Sequence, residues 1–102
     1  MTTVTLINTM AVKPGRLEEF IAMQEAFATA TCERQHGPRG GRMYRNRDGS
    51  TVVLISQFES IEDQMATLRS PEFQAHLAKL REMVDSSSPA PYEEAYTYGT
   101  FK

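Results

Sequence analysis

The feature that most constrains this chain is one dipeptide near its midpoint, Asp48-Gly49, set between two β-prone runs. Asp-Gly between such runs is a good hairpin signal, because both residues tolerate the backbone angles a tight reversal needs. The segments Arg42 to Arg47 and Thr51 to Phe58 are therefore expected to be neighbouring antiparallel strands, joined through Asn46-Arg47-Asp48-Gly49. Whatever the two ends form must pack around this central hairpin.

The N-terminal half supplies a strand and then a helix. Val4 to Val12 is rich in β-formers, and Lys13-Pro14-Gly15 ends it. From Arg16 to about Thr31 the apolar residues Leu17, Phe20, Ile21, Phe27 and Ala28 recur at helical spacing, with Glu18, Glu19, Gln24 and Glu25 largely between them. Glu18 and Glu19 suit the positive N-terminal end of that helix. Glu33 to Gly41 is a loop rich in Gly, Pro and Arg.

The C-terminal half supplies the mirror arrangement. Ser60 is placed to cap a helix over Ile61 to Arg69, and Ser70-Pro71 interrupts it as a kink or a restart. In the restart, Ser70 caps a further helix with Pro71 at its first position, and Phe73, Leu77, Leu80 and Val84 form its apolar stripe. Asp85 to Pro91 is a polar break, and Tyr92 to Phe101 is expected to be the last strand. The order β-α-β-β-α-β predicts an α+β, ferredoxin-like split βαβ fold, with helices on one face of an antiparallel sheet. Ile7, Val53 and Ile55 fall on the uncovered face, and an apolar patch there predicts a homodimer that pairs two sheets.

Composition narrows the function classes. At 102 residues the chain is expected to be one domain spanning 1–102. Eleven Lys and Arg against thirteen Asp and Glu give a net charge of -2, which argues against nucleic acid as an obligate partner. No run approaches the roughly 18 consecutive apolar residues of a membrane span, and the N-terminus lacks the pattern of a secretory signal. A cytoplasmic protein with no membrane partner is expected. A single cysteine, Cys32, excludes an intrachain disulfide, and no dedicated metal site is expected.

Few residues disagree with this patterning. Asn8 shares strand parity with Leu6 and Met10, so its amide faces the helices, where either a local backbone group or a pocket ligand must satisfy it. His76 lies at the margin of the last helical stripe, three residues after Phe73, and is either a hydrogen-bonded structural histidine or a base or ligand. Asn8 and His76 would line the same gap between sheet and helices. Arg34, Arg39, Arg42, Arg45 and Arg47 crowd one loop and strand, as an ion-paired surface or an anion grip. Gly37-Pro38-Arg39-Gly40-Gly41 lacks the Lys and the Ser or Thr of a phosphate loop. Cys32 and His36 are four apart, with no orienting third group or oxyanion site identified for them. Tyr44, Tyr92, Tyr96 and Tyr98 fit strand or dimer-seam positions.

Strand one followed by Lys13-Pro14-Gly15-Arg16-Leu17-Glu18-Glu19-Phe20, then Gln57-Phe58-Glu59-Ser60 and Ser70-Pro71-Glu72-Phe73-Gln74-Ala75-His76-Leu77, resembles the antibiotic biosynthesis monooxygenase family. The resemblance implies a dimeric α+β barrel with a cleft in each protomer. One branch of similar proteins oxidises phenols or hydroquinones with O2 and no cofactor. This chain departs from that branch at Phe58, where a tryptophan is expected, and the neighbouring polar positions of that branch fall on Leu54 and Gln64. A second branch binds and opens haem. Asn8 and His76 match its pattern, with His76 as the axial ligand, while Thr67 stands about where its tryptophan would be. A third role is that of a binding protein or isomerase. The resemblance implies first a cofactor-independent monooxygenase acting on an electron-rich aromatic or quinol-type metabolite. In that reading Asn8 and His76 are catalytic, and Leu6, Leu54, Phe58 and Phe73 form the substrate walls.

Overall fold

The computed structural model describes residues 3–32 and 34–101. The elements run β1 (Val4–Val12), α1 (Leu17–Thr31), β2 (Gly40–Arg45), β3 (Thr51–Phe58), α2 (Ile61–Arg69), α3 (Pro71–Arg81) and β4 (Val84–Tyr92). The sheet order is β2-β3-β1-β4, with antiparallel neighbours throughout. This is the α+β ferredoxin-like arrangement expected from the element order, in which the two helical crossovers interleave.

Strand parity decides what the helices cover. Met10 and Val12 of β1, Val52 of β3, Phe20 of α1, Leu80 of α3 and Met83 are all buried in one core. Burying a residue of the size of Phe20 or Leu80 contributes about 1.5–3 kcal/mol, so this cluster holds the helix layer to the sheet. On the opposite face Ile7 pairs with Ile55 and Thr9 with Val53. The three apolar residues expected on the uncovered face therefore sit side by side there.

The hairpin is fixed by its own polar groups. Asn46 N–H donates to Thr51 O at 3.0 Å, and Asn46 Oδ1 accepts from Thr51 N–H at 3.0 Å. Asp48 Oδ1 accepts from the Ser50 amide and hydroxyl, which holds its carboxyl below the usual carboxylate range. Gly49 adopts φ +78°, a left-handed angle that glycine takes without steric cost. Arg47 belongs to this turn, and β2 begins two residues earlier than expected, at Gly40. The reason is contact: a Cβ on Gly41 would lie 2.1 Å from Ile55 O, so only glycine allows the two backbones to approach there. The expected loop start, Glu33, lies outside the described residues.

Ser70-Pro71 is a restart. Ser70 is extended, donates its hydroxyl to Thr67 O at 2.8 Å and accepts from Phe73 N–H at 3.1 Å, so one side chain closes α2 and opens α3. The expected helical stripe runs one residue type too far, since α3 stops at Arg81 and Val84 is already in β4.

The last strand corrects the sequence reading. The segment expected to be a polar break, 85–91, forms most of β4, whereas the expected strand 92–101 is paired only at Tyr92. Edge position explains both facts. Pro89 and Pro91 lack amide protons, which an edge strand can do without, and β1 supplies the pairing that the Ser-rich sequence does not itself favour. Asn8 Oδ1 adds to this by accepting from the Ser87 hydroxyl and the Ser88 amide, each at 3.0 Å. From Glu93 to Phe101 no residue pairs with a strand, and Tyr96, Tyr98 and Phe101 are 78%, 79% and 72% exposed.

Candidate functional site

The helix layer contains a buried polar pair that strand and helix periodicity only half reveals. His76, in the middle of α3, is 6% exposed, and Gln24, in the middle of α1, is 7% exposed. His76 Nε2 is hydrogen-bonded to Gln24 Oε1. An amide oxygen can only accept, so Nε2 carries the proton and Nδ1 is the free acceptor of the ring. The imidazole stacks on Phe27 with ring centroids 3.9 Å apart and planes 6° from parallel. Phe73 closes the cluster from the side, 6.2 Å from Phe27 and 6.5 Å from His76.

This setting controls the charge of His76. Burial disfavours the imidazolium, and the nearby Lys79 ammonium adds to the effect, so its pKa lies below the usual 6.5. At neutral pH the ring is uncharged. It is a hydrogen-bonding group with one available lone pair, held rigidly by an amide on one side and an aromatic face on another.

The sheet carries the other expected site residues. Leu6, Asn8, Leu54 and Phe58 lie on the helix-facing side of β1 and β3, where Asn8 pairs with Leu54, and Phe58 pairs with Val4. Phe58 is buried, while Leu54 packs against the main core. Asn8 is turned toward β4, and its oxygen is satisfied by Ser87 and Ser88. The six residues thus form two groups, four on the sheet and two, Phe73 and His76, on α3. No hydrogen bond joins Asn8 to His76 among the described residues.

Haem fits this arrangement poorly. Ligation of haem iron through Nε2 would require a lone pair at the nitrogen whose proton is shared with Gln24 Oε1. The arginines do not converge on an anion either. Arg34 pairs with Glu72, Arg39 with Glu59 at 3.0 Å, and Arg45 with Glu18 at 3.1 Å, while Arg42 donates to Tyr44 Oη at 3.0 Å. Cys32 is exposed and its thiol turns to Thr29 O, whereas His36 engages Asp63, so these two do not form a nucleophile pair.

Two participants escaped the sequence reading. Gln24 reads as one of the polar residues of α1, but Phe20, Gln24, Phe27 and Thr31 follow one another at four, three and four residues, and the structure buries Gln24 and Thr31 while Ala28 is exposed. That spacing was the available signal. Asp63 met His36 across a separation of 27 residues, for which the sequence offers no local sign.

These features define a small ferredoxin-like protein with a buried neutral histidine in its helix layer. The family model for antibiotic biosynthesis monooxygenase matches residues 3–79, and the chain belongs to that family. Among solved structures it is similar to SnoaB, a cofactor-independent oxygenase from Streptomyces nogalater, at 26% identity over 95% of this chain and 97% of that one, with a TM-score of 0.81. It shares its fold with Rv0793 from Mycobacterium tuberculosis, at 23% identity, 93% and 100% coverage and a TM-score of 0.73. A conserved protein from Methanosarcina mazei Go1 has the same fold at 16% identity, 92% and 94% coverage and a TM-score of 0.81. No curated protein sequence matches the chain. No helix among the described residues is long and apolar enough to cross a membrane.

Proposed function

We propose that this protein is a cofactor-independent monooxygenase that oxidises an electron-rich aromatic or quinol-type metabolite with O2 in the cytoplasm, as a homodimer. The observation that carries the reading is the neutral, buried His76, in a chain 26% identical over 95% of its length to a cofactor-independent oxygenase. An ionised phenol or hydroquinone can itself pass an electron to O2. The protein then needs to bind the ring, remove water from it and stabilise the anion.

Each residue has a defined part. His76 takes the phenolic proton at Nδ1 or hydrogen-bonds the resulting anion, with Gln24 fixing its tautomer. Asn8 holds the oxygen-bearing edge through its amide NH2, since its oxygen already serves β4. Leu6, Leu54, Phe58 and Phe73 form the apolar walls. The dimer forms through the open sheet face at Ile7, Val53 and Ile55.

Oxygen uptake with a panel of hydroquinones tests this reading. The expected result is consumption above the protein-free rate, unchanged by chelators and lost in His76→Ala while that variant remains folded. Uptake equal to that in buffer alone, or full turnover by folded His76→Ala, contradicts it. Sedimentation equilibrium tests the assembly, and Ile55→Asp is expected to shift dimer to monomer.

A further inference from the structure

A second histidine stands in a different setting, at the outer surface of the helix layer. We infer that the pocket between the end of α1, the 34–39 loop and the α2–α3 junction binds a single-ring compound with an acidic hydroxyl, and that His36, oriented by Asp63, accepts its proton. This site is separate from the function proposed above and does not depend on it.

The geometry is that of an oriented base. His36 Nδ1 lies 2.6 Å from Asp63 Oδ1. An ionised carboxylate only accepts, so Nδ1 carries a proton, and in the neutral form of the ring the acceptor is Nε2, on the side away from Asp63. Asp63 is mostly covered, its side chain 17% exposed, while that of His36 is 59% exposed. The partner is thus fixed and the ring is accessible.

The backbone is built to hold His36 there. His36 adopts φ +67°, a left-handed angle uncommon outside glycine, and it persists only where neighbouring contacts enforce it. Those contacts are present. Thr67 Oγ1 donates to His36 O at 3.1 Å, Gly37 N–H donates to Arg34 O at 3.0 Å, and Arg34 N–H donates to Thr31 O at 3.1 Å. Gly37 packs so closely that a Cβ would lie 2.4 Å from Thr31 O. The loop is therefore tied to α1 on one side and to α2 on the other.

The cavity beside it sets the ligand class. It measures about 200 Å³ and its lining includes Phe27, Thr31, His36, Ala66, Thr67 and Ser70. Pockets for drug-sized ligands run to roughly 300–1,000 Å³, so this one suits a single ring rather than a fused polycycle. Phe27 gives an aromatic wall. The Thr31 hydroxyl donates to Phe27 O and the Ser70 hydroxyl to Thr67 O, so neither has a proton to offer a ligand, and His36 brings to the lining a ring nitrogen far more basic than their oxygens. The charged residues on the lining are Arg34 and Glu72, which form an ion pair, and Asp63 stands outside the lining, bonded to the imidazole. In the step, the ligand O–H bond breaks and an Nε2–H bond forms. The electron pair stays on oxygen, and Asp63 retains its hydrogen bond to Nδ1–H.

The test uses 4-nitrophenol without turnover, because its anion absorbs in the visible and its neutral form does not. At a pH where the free probe is largely protonated, wild-type protein is expected to raise the phenolate band saturably. His36→Gln is expected to lose the band, and Asp63→Asn to weaken it, with melting curves showing both variants folded. Absence of a saturable band in the wild type overturns the proposal, as does an undiminished band in His36→Gln. A band that survives in His36→Gln and vanishes in folded His76→Ala assigns the proton to the buried histidine and refutes the role of His36. Oxygen uptake with hydroquinones is scored separately, so a failure of the oxygenase reading leaves this result standing.

Discussion

The two histidines of this chain, His76 within α3 and His36 in the loop after α1, have opposite settings. His76 is buried against an amide and an aromatic face, whereas His36 is largely exposed and faces a carboxylate. A buried imidazole beside Gln24 gains a neutral partner and loses water, so it is held uncharged. The surface imidazole instead has its proton fixed on Nδ1 by Asp63. The lesson is that the partner residue, and not the histidine, decides which nitrogen is available and what it can do.

The comparison is broken most strongly by His76→Ala. This removes a buried ring, leaves a gap against Phe27 and orphans the Gln24 amide, and a loss of about 3–5 kcal/mol is expected in urea unfolding. Gln24→Ala is expected to cost about 1–3 kcal/mol, because the His76 Nε2–H is left buried and unpaired. Recovery of most of that loss in Gln24→Glu, which keeps an acceptor oxygen, would sharpen the assignment. Asn8→Ala is expected to cost about 1 kcal/mol through the lost bonds to Ser87 and Ser88 on the edge strand, with hydrogen exchange rising first at Ser88. Arg39→Ala, which breaks an exposed pair with Glu59, is expected to change stability by about 1 kcal/mol or less.

The pH dependence has a definite sign. The folded-state pKa of His76 lies below the usual 6.5, so between the two values the unfolded chain binds a proton that the folded chain does not. Its contribution to stability is fully present above about pH 6.5 and is lost as the pH falls from there toward the folded-state pKa. Chemical unfolding at a series of pH values checks this. The slope is expected to diminish in His76→Phe, and an unchanged slope in that variant would place its origin elsewhere.

Much of this architecture was legible in the sequence because local chemistry and tertiary demands agree. Val4–Val12 carries β-formers and occupies a central strand, Asp48-Gly49 turns the hairpin, and Ser70 caps a restarted helix. The last strand was not legible, because Ser86 to Pro91 has no β-preference of its own and is recruited by β1 and Asn8. The unpaired aromatic tail, by contrast, carries residues typical of strands. In the site, the stripe placed His76 only at its margin, and the structure buries it. Its partner was not legible, since Gln24 is polar and falls among residues largely between the apolar positions, and the reach of Asp63 to His36 is a tertiary contact. Neither parity nor spacing could show that Asn8 turns toward β4.

Long-range ¹H–¹⁵N spectra of the two imidazoles, recorded from pH 8 down to pH 5, test the account most directly, because they report tautomer and charge at each ring nitrogen. The structure predicts His76 as the neutral Nε2–H form, remaining uncharged below pH 6.5, and His36 with its proton on Nδ1. Protonation of His76 at or above 6.5, or an Nδ1–H tautomer there, would contradict the buried Gln24 pairing on which the proposed chemistry depends.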